Sequence, residues 1–72
     1  MIVDARGKRC PVPVIELAKA LPTVAVGEVV EVLADDPAAR VDIPVWCRMK
    51  GQRYDGAADR DGATAYRVTR LA

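Results

Sequence analysis

The chain has 72 residues, is about half apolar (51 %), and carries 11 basic against 10 acidic side chains. That length allows one small domain, residues 1–72, with a modest core, and the near-neutral charge provides no field to draw in nucleic acid or an anionic membrane. With no histidine, two cysteines (Cys10 and Cys47) and three aromatics (Trp46, Tyr54 and Tyr66), the composition excludes Ser-His and Cys-His pairs within the chain, histidine metal sites and four-cysteine metal centres, and leaves little for base stacking.

Residues 1–6 read as a short strand leading into Gly7. Val14, Leu17, Ala18 and Leu21 then recur at i, i+3, i+4 and i+7, which predicts a helix from Pro11 to Leu21, closed by Pro22 and Gly27. Valine-rich Glu28–Ala34 reads as a buried strand, stopped by Asp35-Asp36-Pro37, after which a short helical turn is expected. Asp42-Ile43-Pro44 is a second helix start, with Asp42 as N-cap and the proline in the first turn. Ile43, Trp46 and Met49, with Val45 beside them, give this helix its expected inward face, and Gly51 ends it. Gln52–Ala58 and Thr64–Leu71 frame Asp59-Arg60-Asp61-Gly62, where Asp-Gly between strand-like runs signals a hairpin. The order is β-α-β-α-β-β. Its simplest packing is an α/β two-layer sandwich with two helices on one face of a four-stranded mixed sheet.

The N-terminus lacks a basic flank followed by a long apolar run, so no secretory signal is read there, and no segment approaches membrane-spanning length. Two cysteines are fewer than a disulfide-stapled secreted mini-domain uses, so a reduced, cytoplasmic protein is expected.

One stretch carries chemistry: Arg6-Gly7-Lys8-Arg9-Cys10-Pro11-Val12-Pro13. Prolines are tolerated in a first helical turn, whose N–H groups lack intrahelical acceptors, so Pro11 and Pro13 fix the helix start just after Cys10 and make it the expected N-cap. The helix dipole, the Val12 N–H as donor to sulfur, and the charges of Arg6, Lys8 and Arg9 are all expected to lower the thiol pKa. A thiolate formed this way needs no general base, and attack on a sulfur–sulfur bond suits it. The competing reading is a small buried hydrophobe without reactivity.

Cys-Pro-x-Pro after a short strand, opening the first helix, resembles the TusA/SirA-like family of small sulfur carriers. The resemblance extends through Asp4 with Gly7, Gly27-Glu28, Asp35-Asp36-Pro37, Asp42-Ile43-Pro44 and Trp46-Cys47, in order and over nearly the whole chain. It implies the same sandwich and gives Cys10 the role of carrying sulfane sulfur as a covalent persulfide, with no other cofactor. The implied donor is a cysteine desulfurase or a rhodanese-like protein. The implied acceptor is another protein's cysteine, in tRNA thiolation, molybdenum-cofactor maturation or sulfur oxidation. Such a protein is a stoichiometric carrier in a relay, not a stand-alone enzyme. Two positions depart from the family's commoner pattern: Lys8 replaces a hydrophobic residue and Gln52 a histidine. Both bear on the surface a partner reads.

Cys47, mid-helix beside Trp46, is expected to pack, not react. Asp35 and Asp36 serve as turn and cap residues, as a cation site or, with Lys8, as docking residues. Arg48, with Lys50 and Arg53, forms either a solvated face or a docking face for an acidic partner. Two other functions compete with the carrier: a non-catalytic protein- or RNA-interaction module, and a thiol-redox pair of Cys10 with Cys47, whose wide spacing does not resemble Cys-x-x-Cys.

Overall fold

The computed structural model describes residues 1–72. Its elements follow the expected order: β1 (Ile2–Asp4), α1 (Val12–Ala20) continued by a 3-10 turn (Leu21–Thr23), β2 (Val29–Ala34), α2 (Ala39–Lys50), β3 (Arg53–Arg60) and β4 (Ala63–Thr69). The sheet runs β1-β2-β4-β3, with β1 parallel to β2 and the other pairs antiparallel. Two helices therefore lie on a four-stranded mixed sheet, the architecture read from the sequence.

The strands form because period-two alternation presents one apolar row to the helices. In β2 that row is Val30, Val32 and Ala34, all buried; Val30 and Val32 stand opposite Val68 and Tyr66 of β4. Leu17 and Leu21 press on them from the α1 side, and Ala39, Ile43 and Cys47 from α2. Pro13 is also fully buried, so this proline both starts the helix and fills the core. The hairpin turn is Asp61-Gly62, and both residues have positive φ (50° and 80°), as a two-residue turn matched to strand twist requires.

Two helix starts and one helix face differ from the sequence reading. Helix α1 begins at Val12 with Pro11, not Cys10, at the N-cap. Helix α2 begins at Ala39, so Asp42 lies within its first turns instead of capping it, and Pro44 lies inside the helix. The earlier start arises because the Asp36 carboxylate accepts the Ala38 N–H at 3.0 Å, while the Ala39 and Arg40 N–H groups donate to the Asp36 and Pro37 carbonyls. The third difference is in the face that α2 buries. The inward row of α2 is Ala39, Ile43 and Cys47, with Trp46 half-buried, whereas Met49 is 74 % exposed and Val45 also faces outward. No helix is long and apolar enough to cross a membrane.

Candidate functional site

Parallel pairing of β1 with β2 makes both strands end at the same edge of the sheet. The loop after β1, which carries Cys10, is thereby brought beside the loop after β2, which carries Asp35 and Asp36. Their contacts are specific. The Gly7 N–H donates to both Asp35 carboxylate oxygens at 3.0 Å, and the Cys10 N–H donates to Asp36 Oδ2 at 2.7 Å. Since Asp36 Oδ1 also accepts the Ala38 N–H, one carboxylate ties the Cys10 backbone to the start of α2. These bonds hold the Asp36 carboxyl below its usual pKa, the Ala38 contact first and the Cys10 contact second. Both aspartates therefore hold the loop internally, the turn-and-cap duty weighed from the sequence, while an open groove beside Cys10 is lined by Gly7, Lys8, Arg9, Asp35, Asp36 and Pro37.

Cys10 is half-buried and packs against the core cluster, and its peptide bond to Pro11 is cis. Its electrostatics reverse the expectation. The Val12 N–H donates to the Arg9 carbonyl at 2.9 Å and is not turned to the sulfur. Arg6 is committed elsewhere, forking onto Asp4 through Nε at 2.9 Å and Nη2 at 2.8 Å, a pairing that holds the Asp4 carboxyl down to about 2. Asp42 of α2, by contrast, acts on the thiol to favour its protonated form. Burial first, then Asp42, then the charge of Asp36 push the Cys10 thiol up from 9.0 to about 11. Cys10 stands outside the helix proper, one residue before the N-cap, and the charges that act on its thiol are those of carboxylates. It is held as a thiol.

Cys47 packs as expected, 1 % exposed, with burial pushing its thiol up to about 11. Both cysteines are free thiols. Of the remaining residues singled out from the sequence, Pro11, Lys8, Arg9 and Arg48 are exposed and Val12 is half-buried. Arg48 lies in the last turn of α2 with Lys50, where positive charge interacts favourably with the negative end of the helix dipole. A second cleft, lined by Ala18, Leu21, Pro22, Trp46, Lys50, Gln52, Arg70 and Ala72, lies toward the far end of α1 from Cys10. The site residue that sequence reasoning missed is Asp42. Its place before Ile43-Pro44 marks it as a cap, and its effect on the thiol comes from a segment thirty-two residues away in the chain.

The sequence profile of the family described as sulfurtransferase TusA matches residues 1–70. A putative sulfur carrier protein of Archaeoglobus fulgidus is 51 % identical over 51 residues, covering 71 % of this chain and 70 % of that one. The sulfur carrier protein TusA of Pseudomonas entomophila is 37 % identical over 70 residues, 97 % of this chain and 88 % of that one. The crystal structure of a SirA-like protein from Desulfitobacterium hafniense superposes over 100 % of both chains with a TM-score of 0.84, at 31 % identity.

Proposed function

The chain belongs to the TusA family of sulfur carriers, and from that premise we propose that Cys10 takes up sulfane sulfur as a persulfide and hands it to an acceptor cysteine on a partner protein. The observation that carries this reading is the placement of Cys10. It lies where the loops after two parallel strands meet, next in the chain to Arg9 of an open groove, with its backbone N–H held by Asp36 and the residue only half-buried. Cys47, in the core, has no such access.

The transfer is a thiol–persulfide exchange. The Cys10 sulfur attacks the terminal sulfur of a donor Cys–S–SH group. A sulfur–sulfur bond forms on Cys10 as the donor's breaks, and the proton given up by Cys10 ends on the departing donor thiol. Nothing is oxidised or reduced overall, and no metal or base within the chain is called for. A cysteine desulfurase or a rhodanese-like protein supplies the sulfur, and the relay runs in the cytoplasm, where thiols stay reduced. Its downstream uses are tRNA thiolation, molybdenum-cofactor maturation or related sulfur metabolism.

Incubation with a cysteine desulfurase and cysteine is expected to add the mass of one sulfur atom, mapped to the peptide containing Cys10. Equal loading of Cys10→Ser would assign the sulfur to another residue and end this reading.

A further inference from the structure

The cleft at the far end of α1 is separated from the segment carrying Cys10 by the nine residues of that helix, about 13 Å. Its floor is apolar. Ala18 of α1, Leu21 and Pro22 of the turn that follows, and Trp46 of α2 form it, with Trp46 half-buried against the core. Its walls are held by hydrogen bonds to the last residues of the sequence. Gln52 Oε1 accepts the Leu71 N–H at 2.7 Å, and Arg70 donates through Nε to the Ala72 carbonyl at 3.1 Å and through Nη1 to the Val24 carbonyl at 2.6 Å. The cleft is thus already built in the free chain.

Size and charge select its occupant. Pockets that take whole small molecules run to about 300–1,000 Å³. At about 190 Å³ this one is smaller and has room for a single large side chain, the kind of anchor that carries most of the energy of a protein interface. The charged side chains that line it, Lys50 and Arg70, are both basic, and no acidic side chain lines it. Neither joins an ion pair; those of the structure are Arg6 with Asp4, Lys19 with Glu16, Arg53 with Asp55 and Arg60 with Glu31. Arg70 is bonded to carbonyls alone, through Nε and Nη1.

Building on the carrier reading of Cys10, we propose that this cleft docks a partner protein through an acidic segment, which seats one large apolar side chain on Trp46 and pairs its flanking carboxylates with Lys50 and Arg70. The partner is held at one end of α1 while Cys10, at the other, remains free to exchange sulfur. The cleft takes no part in the sulfur chemistry. It governs which partner stays bound, not how readily the thiol reacts.

Trp46 is the only tryptophan, so its indole N–H signal in a nitrogen-15 NMR spectrum reads the cleft without interference. Titration with the blocked peptide acetyl-Glu-Phe-Glu-amide is expected to move that signal saturably, with a dissociation constant on the order of 1 mM. Acetyl-Lys-Phe-Lys-amide, which reverses the charge, and acetyl-Glu-Ala-Glu-amide, which lacks the anchor, should each bind severalfold more weakly. An exposed ion pair contributes up to about fivefold in affinity, so Lys50→Glu should weaken the acidic peptide about fivefold or more and Lys50→Gln by less. Both variants should load sulfur on Cys10 from inorganic polysulfide as fast as the unmodified protein, which also reports that they are folded. A Trp46 signal that acetyl-Glu-Phe-Glu-amide leaves in place, equal binding of either control peptide, or unchanged affinity in Lys50→Glu overturns the proposal. Cys10→Ser should bind the peptide as the unmodified protein does. A chain that takes up no sulfur would therefore refute the carrier reading, while the titration would still decide whether the cleft accepts an acidic segment.

Discussion

The pH dependence of Cys10 alkylation in the unmodified protein tests the electrostatics of the site. With the thiol at about 11 instead of 9.0, the thiolate fraction near pH 8 falls from about one in ten to about one in a thousand. The more basic thiolate is intrinsically more nucleophilic, by about eightfold over two units of pKa. The two effects leave Cys10 reacting roughly tenfold more slowly than an unperturbed peptide thiol. Iodoacetamide labelling followed by peptide mass spectrometry, at constant ionic strength from about pH 7 to about pH 10.5, reads this directly and separates Cys10 from Cys47. The logarithm of the rate should climb with unit slope through about pH 10 without a plateau. A plateau at or below about pH 8.5 would refute the reasoning. It would mean that the helix terminus and the loop cations outweigh burial, Asp42 and Asp36, as the sequence alone had implied.

Other expectations follow from the same contacts. Cys47→Ala removes a fully buried sulfur and should cost about 1 kcal/mol in chemical denaturation, while leaving sulfur loading of Cys10 intact; a loss of loading would give Cys47 a part in the chemistry. Asp4, Asp36 and Asp55 all have carboxyls held below their usual range in the folded state, chiefly by Arg6, by the Ala38 N–H and by Thr69 respectively. Their stabilisation is present above the unfolded carboxylate pKa and lost as pH falls through the folded values, so the urea midpoint should drop below about pH 4 and continue down toward about pH 2. A flat midpoint across that window would contradict the pairings. Gly62→Val places a β-branched residue at φ 80° in the hairpin turn and should destabilise by about 1–2 kcal/mol in urea titration.

What the sequence made legible was periodic. The α1 stripe through Leu17 and Leu21, the valine row of β2 and the Asp-Gly turn each express a local rule, and each appears in the structure. The order of elements followed from them. What escaped was decided by contacts between distant segments. Asp42-Ile43-Pro44 has the local form of a helix start, yet α2 begins at Ala39 because the Asp36 side chain supplies an acceptor to Ala38. The inner face of α2 is the i, i+4 row Ala39, Ile43 and Cys47, so Cys47 packs as expected and Met49 is exposed. The chemistry of Cys10 escaped for a similar reason. Proximity in sequence placed Arg6, Lys8 and Arg9 around the sulfur, but Arg6 turns to Asp4, and carboxylates from the β2 end and α2 reach the site across the fold. Charge read along the chain had the opposite sign from charge met in space.

The shortness of β1 has a dynamic consequence. This strand of three residues lies at the edge of the sheet and pairs with β2 alone. Together with the Asp35 and Asp36 contacts, it ties the Cys10 loop to the sheet. Short edge strands belong to the least protected parts of a domain and open without global unfolding. Amide exchange at Val3 and Ala5 should therefore be faster than in β2 or β4, and the loop bearing the sulfur should share that opening. A carrier built this way can extend its reactive loop toward a partner by giving up one short strand, while the β2–β4–β3 sheet and its helices remain closed.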